Sequence, residues 1–526
     1  MTQANAQPGQ PMKKLRKTYF PFKWLLRSQE FQGVGACLAE NTYIQDGKLR
    51  KTRGQSVFKD TTTPAEILWM GEYEKSDGTF QILYAYLSGS IYLLRAIEEN
   101  GTITTPTGGA GDVNFTSSNF DIAQLNTIGY VSNESATTPL YSWNGTLLTA
   151  ISNAPASPKY VLVDGNRLCI NKVFSGAITG TLTDFTAGTG AADNGDYAAR
   201  GNPVGGVEAG GGVILMSKMG AELHKVIPNN ASDDVSAKTK IQGFNYTGLG
   251  IQNTHQIVAG KNFVYFFNSD GIFEMNPFDG TVLNLTDTGN IERRWKELNR
   301  TNAFIEYDSK NDRVVVVAKQ RGQNDTIIIV DTRIEQRPIS YATAGFFSSI
   351  ANVNNQLYGG SSHDARVMKI FDTFTDRDGG KLQFRYIIEW DALTNAMLEK
   401  RLRQFSIFAN LNHESSFEAK LYKDGSHEPI ATQTFTTTAS LDSAKVGSVL
   451  GAYGKYVFNL GGGRDSATAD LNTDKMQKEK YNTKCSTYTL EIVENSFYDF
   501  QVYDILAEYK TRGKITHSLS MANSLF

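Results

Sequence analysis

Apolar and polar residues alternate with a period of two along most of this chain. The runs are short and are broken by Gly, Asn, Asp and Ser pairs, the pattern of half-buried strands joined by tight turns. The first such group begins near Ile67: ILWMGEY, a Ser76-Asp77-Gly78 turn, FQILYAYL, a Ser88-Gly89-Ser90 turn, then IYLLRAI ending at Asn100-Gly101. Asn-Gly admits the positive φ angles that a two-residue hairpin turn requires. Comparable groups follow: DIAQL with TIGYVSN, PLYSWNG and TLLTAI; KYVLVDGNRLCINKV; GGVILMSKMGAELHKVI; HQIVAGKNFVYFFNSDGIFEMNPFDGTVLNL; NAFIEYDSKNDRVVVVAKQRGQNDTIIIVDT; and FFSSIANVNNQLYGGS with ARVMKIFD. Their starts recur about 40–50 residues apart, the period of four-stranded blades. The pattern predicts an all-β chain whose body is a β-propeller of six or seven blades. One short helix is expected over Ile291 to Asn299, where Ile291, Trp295 and Leu298 share a face.

Ala39 to Phe58, ahead of the first group, reads as a strand (Thr42 to Ile44), a Gln45-Asp46-Gly47-Lys48 turn and a basic strand ending at Arg53-Gly54. A strand placed before a closed array can pair with the array's last strands and remove the exposed sheet edge. This stretch is therefore the expected clasp of the ring.

The texture changes near Asp376-Arg377-Asp378-Gly379-Gly380. Beyond it QFRYIIEWDAL, KRLRQFSIFANL, SFEAKLYKDG, KYVFNL, STYTLEIVEN and FQVYDILAEYK alternate well and predict a C-terminal β-sandwich. The expected domains are a basic arm with ring-closing strands (1–60), the propeller (61–375), the sandwich with a long polar loop at 432–480 (376–515), and a tail (516–526).

Composition agrees with turn-rich β structure: aromatics are 11 % and there are 48 glycines. The net charge is −2 but uneven. Residues 1–60 hold 11 Lys/Arg against 4 Asp/Glu, leaving 41 against 50 for the rest, so a basic arm precedes a mildly acidic body. That balance argues against a whole-body nucleic-acid binder. Cys37, Cys169 and Cys485 are odd in number and far apart, which fits neither a disulfide framework nor a cysteine zinc site. The start lacks the uninterrupted apolar run of a signal peptide, and no segment has the length of a membrane span, so a protein made in a reducing cytoplasm is expected.

Chemical motifs are sparse. The Gly clusters at 205–212 and 461–463 lack the GK[ST] ending of a phosphate loop. No G-x-S-x-G elbow, H-E-x-x-H motif or kinase signature occurs, and the six histidines show no ligand spacing. No acid/base carboxylate pair stands out for glycoside cleavage. The expectation is a non-enzyme with no catalytic, cofactor-binding or metal residues. The candidate contacts lie at the N-terminus. Tyr19, Phe20, Trp24 and Arg27 belong to a basic-aromatic arm, where aromatics can anchor and cations can steer docking onto a neighbouring ring. Arg50, Lys51 and Arg53 sit on the expected clasp. The plainer readings are a solvated terminus and the exposed face of a strand.

The order of features resembles the tail hub or nozzle (packaged-DNA stabilisation) proteins of short-tailed bacteriophages. GKLRKTRG comes first, then FDIAQLNTIGYVSNESATTPLYSWNG, YVLVDGNRLCINKV, GGGVILMSKMGAELHKV, FVYFFNSDGIFEM, IERRWKELN, DRVVVVA and TIIIVDT, and last EKRLRQFSIFANL, LYKDG and FQVYDILAEYK, across about residues 31–510. The resemblance implies a virion protein forming a ring, commonly a hexamer, below the portal and adaptor proteins and beside other tail proteins. Double-stranded DNA would pass through the lumen without sequence-specific binding. The family brings no catalytic residues. Two other classes fit the same pattern: a carbohydrate-binding or carbohydrate-cleaving propeller on a phage tail or cell surface, and a cytoplasmic interaction scaffold.

Overall fold

The structure is a computed structural model. It describes residues 15–18 and most of the chain between 36 and 511; residues 1–14, 19–35, 389–399, 437–454, 461–482 and 512–526 and several short loop segments lie outside the described residues. The chain divides into two compact units. One comprises residues 54–337 and 343–379, the other residues 1–53, 338–342 and 380–526.

The first unit is a seven-bladed β-propeller among the described residues. Its inner strands are Ile67–Glu74, Phe120–Leu125, Val161–Asp164, Gly205–Ala209, Ile257–Ala259, Leu298–Asp308 and Phe347–Val353. Each touches the next, and the seventh touches the first, so the ring is closed. Blades 1 to 5 each hold four antiparallel strands in sequence order. Blade 6 is built from Leu298–Asp308, Arg313–Gln320 and Asp325–Asp331, whose β-branched runs are buried on both faces as expected of enclosed strands.

Blade 7 takes its fourth strand from the other end of the chain. Gln55–Asp60 lies antiparallel to Arg366–Ile370, with Gln55 opposite Ile370 and Asp60 opposite Arg366. The Thr373 and Thr375 hydroxyls donate to the Gln55 carbonyl at 2.7 and 2.9 Å, pinning the start of that strand. Closure thus uses an N-terminal strand, but the strand is Gln55–Asp60 and not the Thr42-to-Arg53 hairpin at the centre of the expected clasp.

Blade contacts explain several small residues. A Cβ on Gly71 would stand 2.6 Å from Ile122 of blade 2, and one on Gly360 of blade 7 would stand 2.5 Å from Ile67 of blade 1. Those glycines let neighbouring sheets approach. Large side chains fill the wider gaps between the same sheets: Trp69, Tyr73, Phe115, Phe120 and Trp143 between blades 1 and 2, and Tyr84, Tyr358 and Val367 between blades 1 and 7.

The expected helix is present as Glu292–Glu297; Leu298 already begins the inner strand of blade 6. Its Trp295 is buried and donates its indole N–H to the Asn268 carbonyl at 3.1 Å. A second short helix, Leu285–Thr288, occupies the end of a segment whose apolar pattern suggested strand; Asn284 caps it by accepting from the Thr286 and Asp287 amides.

The second unit is a β-sandwich. One sheet runs Thr42–Gln45, Lys48–Lys51, Phe500–Thr511, Lys400–Leu411, Lys455–Leu460, with Leu15–Thr18 and Thr483–Cys485 attached. The other runs Ile339–Thr343, Ala36–Glu40, Gln383–Ile388, Tyr488–Asn495, Ser416–Lys423, Ala431–Thr436. Gln383–Ile388 and Ser416–Lys423 alternate buried and less buried positions along their length. Phe500 of the first sheet packs against Phe384 and Phe417 of the second, at ring separations of 4.9 and 5.3 Å. The Thr42–Lys51 hairpin belongs here because Ile44 and Leu49 bury one of its faces and Leu49 pairs with Val502. Among the described residues no helix is long and apolar enough to cross a membrane.

Candidate functional site

The candidate contacts named from sequence have different fates. Tyr19, Phe20, Trp24 and Arg27 lie outside the described residues. The start of the arm does not extend freely: Leu15–Thr18 pairs with Phe500–Thr511, Leu15 opposite Tyr509 and Thr18 opposite Leu506. Arg53 is exposed and Arg50 half-buried. Lys51 is 1 % exposed, which corrects its assignment to an outer surface. It lies two residues beyond the buried Leu49 on the same strand face, and that face points into the sandwich.

The inner rim of the propeller carries a feature that motif searching missed. The innermost strand of a blade has one unpaired edge, whose N–H and C=O groups need partners. Side chains from neighbouring blades supply them. Asp121 of blade 2 accepts from the Val161 amide of blade 3 and from the Ile122 amide, both at 2.9 Å. Glu208 of blade 4 accepts from the Val163 amide of blade 3 at 2.7 Å. Glu72 of blade 1 accepts from the Asn354 amide, just past the inner strand of blade 7, at 2.6 Å. Gln124 of blade 2 both accepts from the Glu74 amide and donates to the Glu74 carbonyl of blade 1. Asn352 of blade 7 donates to the Tyr307 carbonyl of blade 6 at 2.9 Å.

Enclosure by the surrounding blades disfavours charge on these carboxylates. Burial pushes Asp121 up to about 7 against the pull of its two amide donors. Burial likewise pushes Glu306, on the inner strand of blade 6, up to about 7, with a smaller push from the Glu72 charge. Glu72 and Glu208 are raised for the same reason. No sequence signal singles these four out: Asp164 stands on the inner strand of blade 3, and Glu74 and Asp308 on the same strands as Glu72 and Glu306.

Other polar networks hold blades together. Gln81 of blade 1 accepts from the Trp143 indole at 3.1 Å and donates to the Gly145 carbonyl of blade 2 at 2.9 Å and to Glu98 at 2.7 Å. Burial opposes the Glu98 charge, but donors from Lys75, Gln81 and Thr104 hold its carboxyl below the usual range. Arg337 makes a forked pair with Glu274 at 2.6 and 3.1 Å and lies over Phe263. Arg313 pairs with Asp308 at 3.1 Å and stacks on Phe371 at 4.5 Å.

His255 lies 4.8 Å from the Phe304 ring, and burial lowers it to about 4, keeping it neutral at pH 7. Among the described residues no three of His, Cys, Asp and Glu gather as a metal site. The arrangement ties carboxylates of blades 1, 2 and 4 to backbone amides of neighbouring blades.

No family model matches the chain, and no curated relative matches it. Solved structures with similar backbones include the extracellular domain of the B. thetaiotaomicron system BT4673, at 11 % identity and a TM-score of 0.37, covering 62 % of this chain and 41 % of that one. Chaetomium thermophilum Sqt1 matches at 7 % identity and a TM-score of 0.34, covering 65 % of this chain and 93 % of that one. The AfRom2 CNH domain matches at 9 % identity and a TM-score of 0.31, covering 53 % and 99 %. The chain thus spans about two fifths of the length of the first of these.

Proposed function

We propose that this chain is a structural component of a bacteriophage tail, forming a ring below the portal and adaptor that extends the DNA channel, retains the packaged genome and permits ejection. The observation that carries the reading is the order of the sequence segments resembling tail hub and nozzle proteins. Most of these segments fall within single pieces of the fold: FDIAQL on the inner strand of blade 2, YVLVDGNRLCINKV across blade 3, GGGVILMSKMGAELHKV within blade 4, FVYFFNSDGIFEM within blade 5, IERRWKELN over the helix and the start of the blade 6 inner strand, DRVVVVA and TIIIVDT in blade 6, and EKRLRQFSIFANL and FQVYDILAEYK on paired sandwich strands.

Charge supports the same role. A genome conduit should not grip phosphate, because each added cation contact strengthens salt-dependent binding and slows passage. Beyond residue 60 acidic residues exceed basic ones. The arm is the part suited to docking, with Tyr19, Phe20 and Trp24 as anchors and Arg27 for steering.

The test is quantitative mass spectrometry of gradient-purified phage particles from the source culture. A fixed copy number near that of a single ring, low relative to capsid protein, is expected. Absence from intact particles overturns the conduit role, and binding or hydrolysis on a glycan array then favours a carbohydrate-directed propeller.

A further inference from the structure

Lys51 and Glu494 are charged residues inside the sandwich that the tail role does not use. Both side chains are fully buried, and Lys51 Nζ lies 2.8 Å from Glu494 Oε2. They belong to opposite sheets: Lys51 ends the Lys48–Lys51 strand and Glu494 lies on Tyr488–Asn495. On the strands flanking Glu494 its register partners are Phe384 and Phe417. Phe500 of the first sheet packs on both of those rings. A lysine and a glutamate therefore face each other in a buried, aromatic-flanked enclosure.

We propose that Lys51 and Glu494 become joined by an intramolecular isopeptide bond after the sandwich folds. Lys51 Nζ attacks Glu494 Cδ. A C–N bond forms and one Cδ–O bond breaks. Of the three ammonium hydrogens, two leave with the departing oxygen as water and one stays on the amide nitrogen. The step needs no oxidant, nucleotide or second protein.

Three features of the site favour it. The fold holds amine and carboxyl in contact, and such placement is worth an effective concentration of about 10⁵–10⁸ M in well-oriented intramolecular reactions. Burial lowers the Lys51 ammonium and raises the Glu494 carboxyl, which eases the proton transfer to free amine and neutral acid from which condensation starts. Ser496 orients the amine, its carbonyl accepting from Lys51 Nζ at 2.6 Å, while Glu494 Oε1 is buried without a hydrogen-bond partner among the described residues. Condensation also replaces two buried charges by one neutral amide, relieving the desolvation cost that a buried pair carries. The product is a covalent tie between an N-terminal strand of the sandwich and its penultimate long strand. It does not depend on the tail role.

The test is the mass of the purified full-length chain under denaturing conditions, with fragmentation of its tryptic peptides. The expected protein is lighter than its sequence by one water, and its Lys51 and Glu494 peptides are recovered joined, with no cleavage after Lys51. Lys51→Arg keeps a cation in the site but cannot condense, so it should show the full mass. Glu494→Gln can still react and should lose one ammonia in place of water. A wild-type chain of full mass with separate peptides overturns the proposal and leaves an ion pair only. Water loss that maps to any other residues overturns it as well.

Discussion

At the scale of single residues, the inner-rim carboxylates couple stability to pH. In the folded chain Asp121 and Glu306 titrate at about 7, above the ordinary 3.8 and 4.5. A raised carboxyl binds protons in the native state that the unfolded state has released. Its contribution is therefore complete below the unfolded value and is lost as pH rises through about 7. The propeller should melt at a higher temperature at pH 5.5 than at pH 8, and the Asp121→Asn/Glu306→Gln pair should narrow that gap. Scanning calorimetry at the two pH values decides it; an unchanged gap rejects the assignment. The Arg313–Asp308 pair makes a sharper prediction. Arg313→Met leaves Asp308 buried with its charge uncompensated, a loss of about 3–5 kcal/mol in denaturant titrations. Gly360→Ala forces a methyl against Ile67 and should cost about 1–3 kcal/mol by overpacking. None of these residues carried a visible sequence signal. An acidic residue in an alternating run looks the same whether it faces water or caps a neighbouring strand's amides.

At the scale of elements, consecutive strands near the N-terminus serve different sheets. Thr42–Lys51 pairs within the sandwich, and Gln55–Asp60 closes blade 7. Hydrogen exchange through a denaturant series should show this partition. Peptides covering 55–60 should lose protection together with 366–370, and peptides covering 42–51 together with 500–511. If both N-terminal peptides open with the same partner, the pairing is wrong. The sequence made the strands and their hairpin turn legible, because alternation and turn chemistry are local. It placed the closing function a few residues early because nothing local distinguishes a strand that pairs with residue 368 from one that pairs with residue 502. The helix at Glu292–Glu297 was legible because Trp295 sits on its apolar face; Leu285–Thr288 was not, since four residues carry no period.

At the scale of the whole molecule, the sandwich is assembled from both ends of the chain, and residues 338–342 join it from between blades 6 and 7. The N-terminal segment is therefore part of the sandwich from Ala36 to Arg53 and, through Leu15–Thr18, before that. This separates two kinds of N-terminal variant. Replacing Tyr19, Phe20 and Trp24 by Ala should leave the circular dichroism and melting of the isolated protein unchanged while reducing its incorporation into tails. Normal tails from that triple variant reject docking by the arm. Deleting residues 36–53 should instead unfold the sandwich, read as loss of its melting transition, because it removes strands from both sheets.

The amino-acid sequence by itself determined the all-β character, the spacing of the groups, most strand positions and the change to a second unit near residue 376. These follow from alternation, β-branched runs and turn residues, each of which acts over a few positions. Tertiary structure alone decided the count of seven blades, the strand that closes the ring, the return of the N-terminal hairpin to the C-terminal sandwich, and the burial of Lys51 against Glu494. Each depends on which distant strand lies alongside. That choice is made by the packed faces and the pairing of strand edges across hundreds of residues, and no local pattern encodes it.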